Sequence, residues 1–244
     1  MQRTSFVAGL ASALTLLVCL SGCGTAKSLA AKAGGEAQAQ AGSLGRMAAA
    51  AVDAVSGANF DYYVLALSWS PQHCTTPAGR RDTVQCGGTR RYSFIVHGLW
   101  PQYERGFPQD CGGGATLGGK LIQETLDIMP SPKLIRHEWA KHGTCSGLAP
   151  EAYFALARKA FGQFRAPEAY GKPNREIYVS PAKYKTAWME TNPGLDSHEF
   201  AVLCSGRFLQ EVRVCLDRNL NPRACGSGVR DRCRVPEMIV QPLR

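Results

Sequence analysis

The segment His137-Glu138-Trp139-Ala140-Lys141-His142-Gly143-Thr144-Cys145 gathers two imidazoles, a carboxylate and an ammonium within a short stretch. On a helix at ~100° per residue, with Glu138 at 0°, His142 falls near ~40°, Lys141 near ~300° and His137 near ~260°. The four polar side chains fit an arc of ~140°. Trp139 and Ala140 take the opposite side and are expected to pack inward. Groups crowded in this way shift one another's proton affinities, which is common at active sites. The chemistry they could perform is proton transfer near neutral pH by imidazole, with an ammonium to offset developing negative charge. One His beside one Glu would fit a solvated helix face with a salt bridge; four such groups opposite a Trp favour a site.

A zinc centre is the competing use of these residues. The His-Glu-x-x-His motif sets its ligands four residues apart, whereas His137 and His142 are five apart and point ~140° away from each other on an ideal helix. Glu138 and His142 are the pair that shares a direction, which suits a carboxylate beside an acid–base imidazole. No metal or other cofactor is expected.

A second candidate segment is Phe94-Ile95-Val96-His97-Gly98-Leu99-Trp100-Pro101-Gln102. His97 is expected to end an apolar strand. Gly98 permits close approach of another group, and Trp100 is held extended because it precedes proline. An exposed Trp beside a His offers a face on which a nucleobase can stack; core packing is its other use.

The elements that must position these groups are legible in outline. Tyr62 to Trp69 (YYVLALSW) is a nearly continuous apolar run, as for a strand buried on both faces. Tyr92 to His97 alternates, with Tyr92, Phe94 and Val96 on one side and Ser93, Ile95 and His97 on the other. Ser131-Pro132 reads as cap and first turn of a helix running to about His142, with Gly143 able to end it. A second helix follows Pro150, with Tyr153, Leu156, Ala157, Ala160, Phe161 and Phe164 as its core stripe. A third follows Pro181 and stops before Asn192-Pro193-Gly194. Leu209 to Leu216 is a strand whose Val212, Val214 and Leu216 alternate with Glu211, Arg213 and Cys215. Helices mixed with strands in this order indicate an α+β fold.

The 244 residues suffice for one well-buried domain and carry a formal net charge of +9. Removing residues 1–22 takes away one basic side chain, Arg3, and leaves +8. Such a balance favours polyanionic partners, either nucleic acid or an anionic membrane surface. Of ten cysteines, Cys19 and Cys23 lie near the N-terminus, and Cys74, Cys86, Cys111, Cys145, Cys204, Cys215, Cys225 and Cys233 are spread through the rest. An even, wide spread without a Cys-x-x-Cys pair indicates disulfides formed outside the cytosol rather than structural zinc. Cys215 and Cys225 flank a turn-rich loop and could be bridged across it.

The N-terminus fits that compartment. Phe6 to Leu20 has the length of a signal-peptide core and is short of the ~20 residues that span a bilayer. Leu20-Ser21-Gly22-Cys23 resembles the bacterial lipoprotein box, which implies cleavage before Cys23 and a lipid on its sulfur. An ordinary secretory signal, cut elsewhere, is the alternative. Residues 23–58 are rich in Ala, Gly, Ser and Gln and read as a tether, with a short helix possible from Met47 to Val55. The domain is expected over 59–244.

The segments HGLWPQ and HEWAKHGTC resemble the two signature boxes of the ribonuclease T2 family. Phe208 to Asp217 with Cys204 before it, and Leu67-Ser68-Trp69-Ser70-Pro71, are similar to further stretches of that family. The resemblance covers roughly Phe60 to Cys233. It implies a central antiparallel sheet flanked by helices and stapled by disulfides, and a metal-independent endoribonuclease of low base specificity. Such an enzyme cleaves single-stranded RNA to a 2′,3′-cyclic phosphate and then a 3′-phosphate. It further implies His97 as general acid, His142 as general base, Glu138 and Lys141 as supports of the transition state, His137 as a phosphate ligand and Trp100 as part of the base site. Gln102 stands where several members carry Asp, and Leu134 where they often carry an aromatic; both belong to the expected substrate-binding set. By the same resemblance the pairing is Cys111–Cys145, Cys74–Cys86, Cys204–Cys233 and Cys215–Cys225. A monomer is expected, exported to the periplasm or cell surface and touching the membrane only through Cys23.

Overall fold

The computed structural model describes residues 42–43, 45–47, 58–112 and 116–243. The signal segment, Cys23 and most of the expected tether, with all but Met47 of its short helix, lie outside the described residues. The chain divides into two units, 1–42 and 43–244, and the second carries the fold described below.

The strands are β1 (Tyr62–Trp69), β2 (Phe94–Gln102), β3 (Ile177–Val179), β4 (Phe200–Ser205), β5 (Phe208–Leu216) and β6 (Met238–Val240). The helices are α1 (Ser70–His73), α2 (Thr83–Cys86), α3 (Gly119–Thr125), α4 (Pro132–Lys141), α5 (Pro150–Gly162), α6 (Glu168–Gly171) and α7 (Pro181–Thr191). They build the α+β fold expected, with strands in the order β2-β1-β5-β6-β3 and β4 also paired to β5. Pairing is antiparallel except between β5 and β6. The apolar run of β1 makes sense at once: it lies between β2 and β5 with both faces covered, and all its residues but Ser68 are buried.

The two faces of the sheet have different tasks. Leu65 and Leu67 share a face with Val96, Leu99, Val212 and Val214, and there the main core forms. Ile135 and Trp139 of α4, Tyr153, Leu156 and Ala160 of α5, and Tyr184 and Trp188 of α7 complete it. The opposite face carries a smaller cluster of Tyr62, Val64, Ala201, Leu203, Cys215 and Val229, with Trp100 packed against it. The candidate site opens beside that cluster.

Helix α4 begins as its sequence dictates. Ser131 caps it by accepting from the Leu134 amide, and Pro132 fills the first turn. It ends at Lys141, where His142 leaves helical geometry at φ −120°. Gly143 does not supply the left-handed residue expected of a helix stop. It opens a short 3-10 turn, Gly143–Ser146, and Gly147 at φ 76° closes that turn. What requires glycine at 143 is Trp139: a Cβ there would lie 2.3 Å from the indole ring. Ala140, expected to pack inward with Trp139, is exposed.

The disulfides are Cys74–Cys86, Cys111–Cys145, Cys204–Cys233 and Cys215–Cys225, the four pairs the family resemblance implies. They are bonds of a non-reducing compartment, so the folded protein belongs outside the cytosol. Among the described residues no helix is long and apolar enough to cross a membrane.

Candidate active site

Strand β2 departs from expectation in a way that builds the site. It starts two residues later than the alternation suggests and runs on through Pro101 and Gln102, so His97 sits within the strand rather than at its end. Proline is tolerated because β2 is an edge strand and its free side needs no donor. Its register on β1 slips at the centre: Ala66 pairs with Gly98 and Leu67 with Val96, which leaves His97 as an extra, bulged residue. Residues three apart on a regular strand face opposite ways. The bulge cancels that alternation, so His97 and Trp100 emerge on one face.

Helix α4 meets these residues with its polar side. The Trp100 indole N–H donates to Glu138 Oε2 at 2.6 Å. His97 Nε2 lies 3.6 Å from Glu138 Oε1. Both imidazoles flank the same indole, the His97 ring at 5.1 Å and the His142 ring at 5.2 Å between centroids. Gly98 makes this arrangement possible. A Cβ at that position would fall 2.1 Å from Trp100 Nε1 and 2.2 Å from Glu138 Oε2.

A cleft of about 460 Å³ is lined by His97, Trp100, Gln102, His137, Glu138, Lys141 and His142, together with Phe107, Arg213 and Arg232. Seven of the eight residues expected in catalysis or substrate binding are thus brought together. Leu134 is the exception. Its helical direction is near the polar arc, but the side chain packs against the main core and does not line the cleft. Gln102 is buried, and its amide N–H donates to the carbonyl of Pro101 at 2.9 Å.

The two imidazoles differ in electrostatics. Burial pushes the His142 pKa down, and Lys141, His137 and His97 add to the effect, to about 3. Its Nδ1 is buried with no hydrogen-bond partner among the described residues. His142 therefore stands neutral through the mildly acidic range. For His97, burial alone would lower the pKa, but a hydrogen bond and charge from Glu211, with the charge of Glu138, raise it above the ordinary histidine value despite opposition from Arg213. Burial raises the pKa of Glu138, opposed by His97, the Trp100 N–H and Lys141.

Three features of the site were missed by the sequence reading. Glu211 Oε2 is 2.7 Å from His97 Nδ1. Arg213 donates through Nε to Glu211 Oε1 at 2.6 Å and lays its guanidinium over Trp100 at 4.9 Å. Phe107 stands about half exposed on the rim, 6.0 Å from the His142 ring. The alternation of β5 put Glu211 and Arg213 on one side of the strand and gave that side no task. The available signal was Cys215, which shares their parity and was expected to be bridged, so that face had to be covered at least in part.

The Ribonuclease T2 family matches residues 60–225, a span that includes every residue above lining the cleft except Arg232. The chain belongs to the ribonuclease T2 family. Over 192 residues it is 35% identical to a ribonuclease of Aeromonas hydrophila, covering 76% of this chain and 87% of that one. Over 181 residues it is 32% identical to a probable ribonuclease of Haemophilus influenzae, covering 68% and 61%. Its fold is similar to that of trichomaglin, an S-like ribonuclease, with a TM-score of 0.62 at 22% identity over 76% of this chain and 98% of that one. RNase NT, solved with 5′-AMP, gives a TM-score of 0.51 at 25% identity, covering 71% and 98%. As a ribonuclease T2 enzyme the protein is a metal-independent endoribonuclease of low base specificity.

Proposed function

We propose that the cleft cleaves single-stranded RNA with the labour divided between its two imidazoles. His142 takes the proton of a 2′-hydroxyl, whose oxygen attacks the adjacent phosphorus. His97 gives its proton to the departing 5′-oxygen, and a 2′,3′-cyclic phosphate is left. In the second step the roles reverse: His97 takes a proton from water, the water oxygen attacks phosphorus, and His142 returns a proton to the 2′-oxygen to yield a 3′-phosphate. Lys141 and His137 sit where the non-bridging oxygens gain negative charge. Glu138 holds Trp100 and helps keep His97 charged. Phe107 and the rim of Trp100 offer aromatic surface for bases, a contact that tolerates any sequence, and Gln102 faces the same space.

The observation that carries this assignment is two imidazoles flanking one indole on one cleft, His97 hydrogen-bonded to Glu211, which favours its imidazolium, and His142 buried beside Lys141, which favours its neutral form. Base and acid are each in the state their first step requires. RNA supplies the nucleophile, so DNA should not be cut. A zinc hydrolase would need His137 and His142 to converge on an ion; among the described residues the cluster with metal-ligand spacing is Asp196, His198 and Glu199, which contains neither.

The test is to incubate the purified enzyme with yeast RNA and EDTA at mildly acidic pH and to look for cyclic phosphates. Their appearance supports the assignment. Binding without cleavage would point instead to a silent RNA-binding protein, and loss of activity in EDTA to a metal enzyme. We further propose that the protein is anchored by a lipid on Cys23, with residues 23–58 as its tether, and acts as a monomer. The lipoprotein-like box at Leu20–Cys23 supports the anchor.

A further inference from the structure

Glu211 is 3% exposed, yet it is a carboxylate on the cleft side of the sheet. A buried charge is costly unless its lone pairs are occupied. Here three strands contribute. His97 Nδ1 from β2 lies 2.7 Å from Oε2, Ser68 Oγ from β1 donates to the same oxygen at 3.2 Å, and Arg213 Nε from β5 donates to Oε1 at 2.6 Å. An ionised carboxylate only accepts, so the proton between it and His97 resides on Nδ1. The other ring nitrogen, Nε2, is then the atom turned toward Glu138 and the cleft.

We propose that Glu211 is a positioning residue for RNA cleavage: by accepting from Nδ1–H it fixes the ring orientation of His97 and reserves Nε2 as the atom that carries the transferred proton. The proposal rests on the assignment of His97 as general acid. It adds an economy across the two steps. After Nε2 has given its proton to the leaving 5′-oxygen, the neutral ring keeps Nδ1–H on Glu211 and presents an Nε2 lone pair. That lone pair is what the second step needs to take a proton from water, so no tautomer exchange intervenes. Ser68 and Arg213 hold Glu211 in turn, and Arg213 ties it to Trp100 through its guanidinium.

Several charges face His97. Glu211 and Arg213 come from β5, Glu138 from α4, His73 from the end of α1, and His142 from the C-terminal end of α4. The two carboxylates favour the imidazolium, and Arg213, His73 and His142 disfavour it when charged. Removing the charge of Glu211 therefore tips this balance toward the neutral ring.

The experiment is Glu211→Gln, which keeps an acceptor of similar shape and loses the charge. In ¹⁵N-detected NMR titration the His97 midpoint should fall by about 1 unit. On a dinucleotide kcat should fall on the order of 10²-fold, with its alkaline limb moved to lower pH. On a 3′-nucleotide ester with a 4-nitrophenyl leaving group, which needs no proton, the loss should be only a few-fold. An unmoved midpoint, or equal losses on both esters, overturns the proposal. Should Glu211→Gln fail to fold, the wild-type protein decides it: above the titration the neutral ring must carry its proton on Nδ1, and a proton on Nε2 overturns the assignment. Failure of the underlying function is distinct, since wild-type enzyme would then leave RNA uncut or His97→Phe would lose activity equally on both esters.

Discussion

The hydrogen bond from Trp100 Nε1 to Glu138 Oε2, 2.6 Å long, occupies the space where a side chain at position 98 would begin. Strand and helix touch at that point because residue 98 is glycine.

Gly98→Ala is therefore expected to disable the enzyme without removing any reactive group. Its Cβ would meet the indole nitrogen at 2.1 Å and the carboxylate at 2.2 Å, so one partner must give way. Displacing either by about 1 Å spoils the shared surroundings of His97 and His142, for a loss on the order of 10²-fold in kcat. Overpacking should also destabilise the fold by about 1–3 kcal/mol. Steady-state kinetics and a thermal melt on the variant check both; near-normal turnover would mean the contact yields freely.

The pH profile follows from the two imidazoles. In the proposed mechanism the reactive form has His142 neutral and His97 protonated, so kcat/KM should be bounded on the acid side by groups such as His142 and on the alkaline side by His97. With His142 down to about 3 and His97 raised, the plateau should extend well below the ordinary histidine value of 6.5. His97→Phe and His142→Phe should each cost at least ~10²-fold, and His97→Phe should erase the alkaline limb. An acid limb at the ordinary histidine value would refute the assignment of His142 as base.

Local sequence carried the parts of this site that local physics decides. Ser131-Pro132 sets the start of α4, and from there the spacing of His137, Glu138, Lys141 and His142 brings them to one cleft. The strand of Tyr62–Trp69 was equally plain, because burial on both faces leaves an unbroken apolar run. What local sequence did not carry arises between strands. The bulge at His97 exists only as a mismatch between β2 and β1, and neither strand alone encodes it. Glu211 and Arg213 were given no role because alternation reports parity, not what covers a face. Here Val229 and Arg232 from the loop beyond Cys225 contribute to that cover. Leu134 departs from the cleft for a third reason: an angle on a helical wheel does not say what covers that side of the helix, and here Leu134 packs against the main core.

Acid stability should bear the signature of His142. Its folded-state pKa, about 3, is below the value of 6.5 expected when unfolded. As pH falls through that interval the unfolded chain binds the proton first, so the stability present above 6.5 is lost progressively toward 3. At ~1.4 kcal/mol per unit, the loss between neutral pH and pH 4 is roughly 2–3 kcal/mol. His142→Asn lacks this term. Its urea midpoint should drop less than that of the wild type over the same range, and parallel drops would show that His142 titrates normally in the fold.

The proposed anchor can be tested apart from catalysis because its residues are separate from those of the cleft. The eight cysteines of the folded domain pair with one another, which leaves Cys23 and Cys19 outside that network. The lipoprotein-like box at Leu20–Cys23 makes Cys23 the proposed lipid acceptor. Residues 24–58 contain no aromatic side chain and have little to bury, a composition that suits the proposed tether. Cells fed radiolabelled fatty acid should incorporate it into the wild-type protein, and Cys23→Ala should abolish the label and move the enzyme from the membrane to the soluble fraction. Its kcat on RNA should stay within about twofold of wild type, because no catalytic group is touched. Label that survives the substitution would rule out Cys23 as the acceptor.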